Sequence, residues 1–284
     1  MNTLSLPDGK AVPTLGLGTW RMGEAGGARH AEVAAVRCAL EIGYRVIDTA
    51  EMYGEGGAEE VVGEALAVAL RAGPLVRDEV FVVSKVYPHN ASRAGTVAAC
   101  DRSRKRLGLD TIDLYLLHWP GSVPLQETVS AFEALRARGH IGRWGVSNFD
   151  TDDMVELWGL DGGTNCAANQ IYHSLTERGA EYQLLPWQQQ HRVPVMAYSP
   201  IDQGALAGNK KLIAMAERRG VTPAQLALAW VLSKPNMMAI PKAVREQHLL
   251  ENFAAADLKL GDSELQKLDR YFPPPKRKAP LAMR

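Results

Sequence analysis

The stretch Asp48-Thr-Ala-Glu-Met-Tyr53-Gly-Glu-Gly-Gly57 sets a carboxylate and a phenol in a glycine-rich turn. A short apolar run, Gly43-Tyr-Arg-Val-Ile47, precedes it and reads as a buried strand. After it, Val61, Val62, Ala65, Leu66, Ala69 and Leu70 recur at helical spacing. Glu59 and Glu60 fall in the first turn, where the helix dipole favours acids. Turns between a strand's end and a helix's start are where α/β folds place their chemistry. Taken singly, Asp48 is equally well explained as a strand-end cap and Tyr53 as packing. The case for function rests on what other strands deliver to the same place.

The elements that position these groups follow from the hydrophobic pattern. Leu4-Ser-Leu-Pro-Asp-Gly-Lys-Ala-Val12 predicts a β-hairpin with Pro-Asp-Gly as its turn. Strands are expected at 15–20, 45–48, 80–86, 113–118, 142–147, 167–171, 194–198 and 237–241. Helices are expected near 28–40, 58–71, 92–107, 125–138, 151–158, 180–190, 210–219, 222–233 and 245–256, with a last one starting near Asp262. Thr222-Pro-Ala-Gln225 marks one boundary well, with an N-cap, a proline at the first helical position and a capping-box glutamine. Eight strand–helix units in 284 residues predict an α/β protein, a (β/α)8 TIM barrel with an N-terminal β-hairpin, as a single domain over 1–284. An open dinucleotide-binding sheet is the rival. Neither Gly16-Leu-Gly18 nor Gly54-Glu-Gly56 continues into its fingerprint.

The polar groups that end the strands would share one face of such a barrel. They are Thr19 and Trp20, Asp48 with Tyr53, Lys85, His118, Ser147 and Asn148, Asn169 and Gln170, Tyr198 and Ser199, and Lys242. A lone histidine at a strand end is usually a satisfied one, and a lone lysine usually snorkels to water. Polar endings on every strand are harder to dismiss. Asp48 and Lys85 lie on neighbouring strands, and burying the two together requires that they pair.

These residues resemble the aldo-keto reductase family. The resemblance is carried by Gly16-Leu-Gly-Thr-Trp20, Asp48-Thr-Ala-Glu-Met-Tyr-Gly54, Ser84-Lys85, Asp113-Leu-Tyr-Leu-Leu-His-Trp-Pro120, Gly145-Val-Ser-Asn-Phe149, Asn169-Gln170, Tyr198-Ser-Pro200, Ile240-Pro-Lys242 and Glu251-Asn252. They occur in the family's order along most of the chain. The resemblance implies a barrel that binds NADPH (NADP+) without a Rossmann domain and moves a hydride between nicotinamide and carbonyl. It implies a catalytic set of Asp48, Tyr53, Lys85 and His118. Tyr53 would be the general acid and Lys85 the cation that lowers its pKa by roughly two to three units. Asp48 would hold Lys85, and His118 would orient the carbonyl oxygen. Trp20 and Trp119 would wall the substrate, together with Tyr53 and His118.

The cofactor contacts it implies begin with Thr19, Trp20 and Asp48. Ser147, Asn148 and Gln170 look like the carboxamide group, and Tyr198 like the ring stacked on nicotinamide. Ser199, Pro200, Ile201 and Gln203 resemble the pyrophosphate loop. Ile240, Pro241, Lys242, Ala243, Val244, Arg245, His248, Glu251 and Asn252 resemble the adenosine phosphate segment. Ala243 and His248 depart from the family's usual hydroxyl residue and arginine. The segments Glu51-Met-Tyr-Gly54 and His118-Trp-Pro-Gly-Ser122 look most like the family's bacterial methylglyoxal reductases, and the short loop after Trp119 and the short tail look like its bacterial members. They predict an open pocket that favours small activated aldehydes. The alternatives are a keto-sugar acid, with Arg21 or His30 meeting its charge, and a cofactor-binding regulatory barrel of low turnover.

Composition agrees with an ordinary globular enzyme. Formal net charge is zero, apolar residues make up 46% and charged residues 23%. Nothing in this balance draws nucleic acid or an anionic membrane. Three scattered cysteines, Cys38, Cys100 and Cys166, fit neither a disulfide framework nor a metal site. The N-terminal residues lack a signal core, which points to a cytoplasmic protein. The expected partner is a small carbonyl substrate, and the expected assembly a monomer or weak oligomer.

Overall fold

The structure is a computed structural model that describes residues 2–283. It opens with an antiparallel hairpin, β1 (Thr3–Ser5) and β2 (Ala11–Pro13), paired with Leu4 opposite Val12. Eight parallel strands follow: β3 (Leu17–Gly18), β4 (Val46–Asp48), β5 (Phe81–Val86), β6 (Ile112–Leu117), β7 (Ile141–Ser147), β8 (Asn169–Tyr172), β9 (Val195–Tyr198) and β10 (Met237–Ala239). Each pairs with the next in chain order. Parallel bridges from Leu15 to Ala239 and from Gly18 to Lys242 join the first strand to the last and close the barrel. The seam is tight. Gly18 N–H donates to the Pro241 carbonyl at 3.0 Å. A Cβ on Gly18 would lie 2.7 Å from the Ile240 carbonyl oxygen, so the seam requires glycine there.

Among the described residues, ten α-helices surround the strands: α1 (Arg29–Ile42), α2 (Gly57–Ala72), α3 (Arg93–Leu107), α4 (Leu125–Ala137), α5 (Thr151–Trp158), α6 (Leu184–His191), α7 (Lys210–Glu217), α8 (Pro223–Leu232), α9 (Glu246–Ala255) and α10 (Asp262–Tyr271). The alternation of strand residues divides the core in two. One apolar cluster lies between strands and helices. The other fills the barrel with Val46, Val83, Leu114, Leu116, Met196, Met238 and Ile240. Leu4, Leu6 and Val12 of the hairpin belong to this inner cluster, so the hairpin plugs the bottom. Asp8 at its tip pairs with Arg143 of β7 at 2.5 Å. The mouth at the other end is left for polar groups. Among the described residues no helix is long and apolar enough to cross a membrane.

Two expectations need correction. The helix expected at 180–190 is a short 3-10 turn at Gly179–Glu181 followed by α6 from Leu184. Pro186 explains the split, because it has no N–H and is tolerated only in a helix's first turn. The expected strand at 15–20 pairs regularly only at Leu17–Gly18, and the chain turns sharply at Arg21 with φ 66.

One buried group beside the mouth is coupled to pH. His173 follows β8, is fully buried, and hydrogen-bonds through neither ring nitrogen. Its ring stacks on Trp230 at 5.3 Å. Burial, helped by Lys234 and Arg178, lowers its pKa to about 3. The unfolded chain would protonate this imidazole near 6.5, so stability is complete above that value and drains away as pH falls toward 3. At pH 5 the drain is about 2 kcal/mol. His173→Phe keeps the stacked ring and removes the titration. Urea midpoints at pH 7.5 and pH 5 should therefore separate less in the variant than in the native protein. Equal separation in both would show that His173 does not titrate on unfolding.

Candidate active site

Asp48 ends β4 opposite Val83 of β5, and Lys85 lies two residues further on, on the same inward face. The geometry follows from that register. Lys85 Nζ donates to Asp48 Oδ2 at 2.8 Å, to the Thr49 carbonyl at 2.8 Å and to the Tyr53 hydroxyl at 3.2 Å. The three donors of a fully buried ammonium are thus all used. Tyr53 is brought there by an irregular turn. Thr49 and Glu51 N–H still donate to carbonyls of β5. Then Gly54, Glu55 and Gly56 all take positive φ and turn the chain into α2. A Cβ on Gly54 would meet the Gly23 backbone at 2.7 Å. Glu59 in the first turn of α2 fixes this turn from beneath. It is fully buried and accepts from Ser84 Oγ at 2.5 Å and from Arg106 Nε at 2.6 Å.

The electrostatics are those of a dry site. Burial pushes the Asp48 carboxyl up, against the opposing pull of Lys85 and Gln170. Burial pushes Lys85 down, but Asp48 and Tyr53 outweigh it and the ammonium is held above its ordinary value. Burial also pushes the Tyr53 phenol up, and Lys85 only limits that rise. This corrects the expected fall of the phenol below 10, because desolvation outweighs the cation. His118 sits 5.7 Å from Tyr53, ring to ring. Burial and the Lys85 charge lower its pKa well below 6.5, so it is a neutral imidazole. Its Nδ1 is buried and makes no hydrogen bond.

A second chain of polar groups runs along the opposite wall. The Tyr198 hydroxyl donates to Asn148 Oδ1 at 2.9 Å, and Asn148 Nδ2 donates to Ser147 Oγ and the His118 carbonyl, each at 3.1 Å. Ser147 Oγ donates to the Gln170 carbonyl at 2.9 Å. The Gln170 side chain then donates to Asp48 Oδ1 at 2.7 Å. Tyr172 backs the Tyr198 ring at 5.7 Å and 18°.

These groups open on a cavity of about 730 Å3, within the rough 300–1,000 Å3 range of small-molecule and cofactor sites. Trp20, Asp48, Tyr53, His118, Trp119, Ser147, Asn148, Gln170, Tyr198, Ser199, Pro200, Ile201, Gln203, Ile240, Pro241, Lys242, His248, Glu251 and Asn252 all line it. Five of the expected residues stand behind or beside the wall: Thr19, Lys85, Ala243, Val244 and Arg245. Thr19 Oγ1 donates to the Asp48 carbonyl, and Arg245 contacts His248 Nε2 at 2.8 Å. Arg21 lines the cavity and His30 does not. Sequence reasoning missed Met52, Gly204, Ala207, Thr222, Pro223, Ala224 and Met283. A signal exists for three of these, Thr222, Pro223 and Ala224, which form the capped start of α8. Met283 of the short tail also reaches the cavity.

The fold and the polar cluster define a (β/α)8 barrel with a proton-bearing site at its mouth. A model of the aldo/keto reductase family matches residues 14–271. The chain is 49% identical over 278 residues to methylglyoxal reductase YeaE of Escherichia coli, covering 96% of this chain and 95% of that one. It is 33% identical over 269 residues to glyoxal reductase of Bacillus subtilis, covering 94% and 92%. An aldo-keto reductase from Klebsiella pneumoniae, crystallised with NADPH, superposes with a TM-score of 0.94 at 51% identity, covering 99% of both chains. The chain belongs to the aldo/keto reductase family and is an oxidoreductase.

The buried pair supports a stability prediction. Lys85→Met leaves the Asp48 carboxylate without its cation and should destabilise the fold by roughly 3–5 kcal/mol. Adding Asp48→Asn removes the stranded charge and should restore much of that loss. Denaturant midpoints of the single and double variants decide the matter. A double variant no more stable than the single would mean that Asp48 is not ionised by Lys85.

Proposed function

We propose that this protein reduces small reactive aldehydes with NADPH, methylglyoxal among them. The observation that carries the reading is the contact of one buried ammonium with both Asp48 and the Tyr53 hydroxyl, at the wall of a cavity of cofactor size. Bound NADPH would supply the hydride that reaches the carbonyl carbon. The chain's own task is to deliver a proton to the carbonyl oxygen as negative charge grows on it. Tyr53 is the proton donor. Its raised pKa keeps it protonated at neutral pH, and Lys85 stabilises the phenolate left behind. Neutral His118 offers an N–H that orients the oxygen. Trp20, Met52 and Trp119 give the same cavity apolar wall.

The wall also fits the cofactor. Ser147, Asn148 and Gln170 present amide and hydroxyl groups beside Tyr198, whose ring is held between Tyr172 and the cavity. Lys242 and His248 line the cavity, with Arg245 behind His248, and supply cationic and hydrogen-bonding groups for the phosphates. The relatives named as methylglyoxal and glyoxal reductases and the NADPH-bound neighbour support the substrate class and the cofactor.

A second reading has one observation in its favour. Arg21 lines the cavity, and its one ion-pair contact among the described residues is with the exposed Glu24 at 3.4 Å. A guanidinium there would favour a carboxylated keto-sugar.

Two experiments test these readings. Tyr53→Phe should lower kcat by about a hundredfold or more, the scale of general acid catalysis, and leave NADPH affinity nearly unchanged. Full activity in that variant would remove Tyr53 from the reaction. With NADPH, kcat/KM for methylglyoxal should exceed that for a keto-sugar acid. The opposite order would favour the Arg21 reading.

A further inference from the structure

We propose that Gln170 is a positioning residue for proton transfer: by donating its side-chain amide to Asp48 it holds the carboxylate that holds Lys85 against Tyr53. The inference rests on the proposed role of Tyr53 and goes beyond Gln170's expected contact with the cofactor. It starts from how the two oxygens of one carboxylate are used. Asp48 is 2% exposed. Oδ2 accepts from Lys85 at 2.8 Å and Oδ1 accepts from Gln170 at 2.7 Å. The two donors approach from different parts of the barrel, β5 and β8. Lys85 alone does not fix the carboxylate, since one contact leaves it able to rotate. The amide at the other oxygen removes that freedom.

The groups around the pair are few. Lys85 faces Asp48 from β5, Tyr53 faces Lys85 from the turn after β4, and His118 lies beyond Tyr53 at the end of β6. From β9 the neighbour of the Gln170 amide is the uncharged Met196 sulfur at 4.0 Å. Nothing else there replaces the lost donor. Without it, Oδ1 is a buried anionic oxygen with no partner, a costly arrangement. The carboxylate relieves this by turning both oxygens toward Lys85, its one remaining donor. That draws Nζ away from the Tyr53 hydroxyl. Tyr53 then loses the cation that offsets burial, and its phenolate becomes harder to form.

Gln170 also joins the two polar chains. Its backbone carbonyl accepts from Ser147, which is linked through Asn148 to Tyr198, while its side chain reaches the proton-bearing cluster. It lines the cavity between them.

Gln170→Met keeps the volume and removes the donor. The experiment follows 4-nitrobenzaldehyde reduction with NADPH and 4-nitrobenzyl alcohol oxidation with NADP+, each across pH at saturating cofactor. Cofactor affinity is titrated separately by quenching of tryptophan fluorescence. Oxidation needs the phenolate, so its kcat rises with pH. In the variant that rise should move to higher pH by about one unit, and reduction kcat should fall on the order of tenfold, matching one hydrogen bond to a charged group. Gln170→Asn, whose amide falls one methylene short, should shift the profile in the same direction by less. It serves equally if the Met variant does not fold. Weakened cofactor binding with an unmoved profile in whichever variant folds would overturn the proposal and leave Gln170 a cofactor ligand only. If Tyr53→Phe retains the native profile, the fault lies instead with the role given to Tyr53.

Discussion

A lysine buried to 0% exposure is the constraint around which the mouth of this barrel is built. An ammonium loses several kcal/mol of hydration on burial and stays charged only if its donors are all met. Here they are met by a carboxylate, a backbone carbonyl and a phenol, all from β4 and the turn after it. That fixes the register between β4 and β5. A slip of β5 by one residue would turn Lys85 to the helix side and leave Asp48 facing inward without its cation. It also fixes the path of the turn, since Thr49 must aim its carbonyl inward while Tyr53 comes back over the lysine. The positive φ angles at Gly54, Glu55 and Gly56 and the buried Glu59 anchor follow from the same requirement.

The strand ends elsewhere carry a related burden. Arg21, Asn148, Ser199 and Gln203 are non-glycine residues with φ between 48 and 66, and all four line the cavity. Left-handed conformations of this kind cost roughly 1–3 kcal/mol each when the surroundings impose them. They turn the chain abruptly at a strand's end, so that a side chain points into the mouth rather than along the sheet. Asn148 shows what this achieves: its amide reaches Ser147, the His118 carbonyl and Tyr198 at once.

Much of this was legible in the sequence because its signals are local. Apolar runs ending in polar residues gave the eight strands, and adjacency of β4 and β5 was enough to pair Asp48 with Lys85. The rest depends on closure and burial, which no local pattern reports. Gln170 reaches Asp48 across 122 positions of sequence and three intervening strands. Only the curvature of a closed barrel brings those walls within hydrogen-bond distance. Thr222, Pro223 and Ala224 were recognised as a helix start, yet nothing in their spacing says that the start faces a cavity. Tyr53 was expected to lose its proton more readily beside a lysine. The balance went the other way because the depth of burial, and not the neighbour alone, sets the larger effect.

The division of the cavity bears on selectivity. On the proposed reading, most of its wall serves the cofactor, from Ser147 and Asn148 through Ser199 to Lys242 and Asn252. The part left for substrate is lined by Trp20, Met52, Tyr53, His118 and Trp119, with Trp20 37% exposed. A substrate that touches so little protein gains little binding energy from its remote atoms. Discrimination between carbonyls of similar size is then weak, because a single methylene in an apolar pocket is worth only about 1–3 kcal/mol. What separates substrates in such a site is how readily the carbonyl accepts a hydride once Tyr53 and His118 hold its oxygen. That favours aldehydes activated by a neighbouring electron-withdrawing group. Arg21 lines the cavity as well, and a guanidinium at its wall is a place where substrate charge could override reactivity.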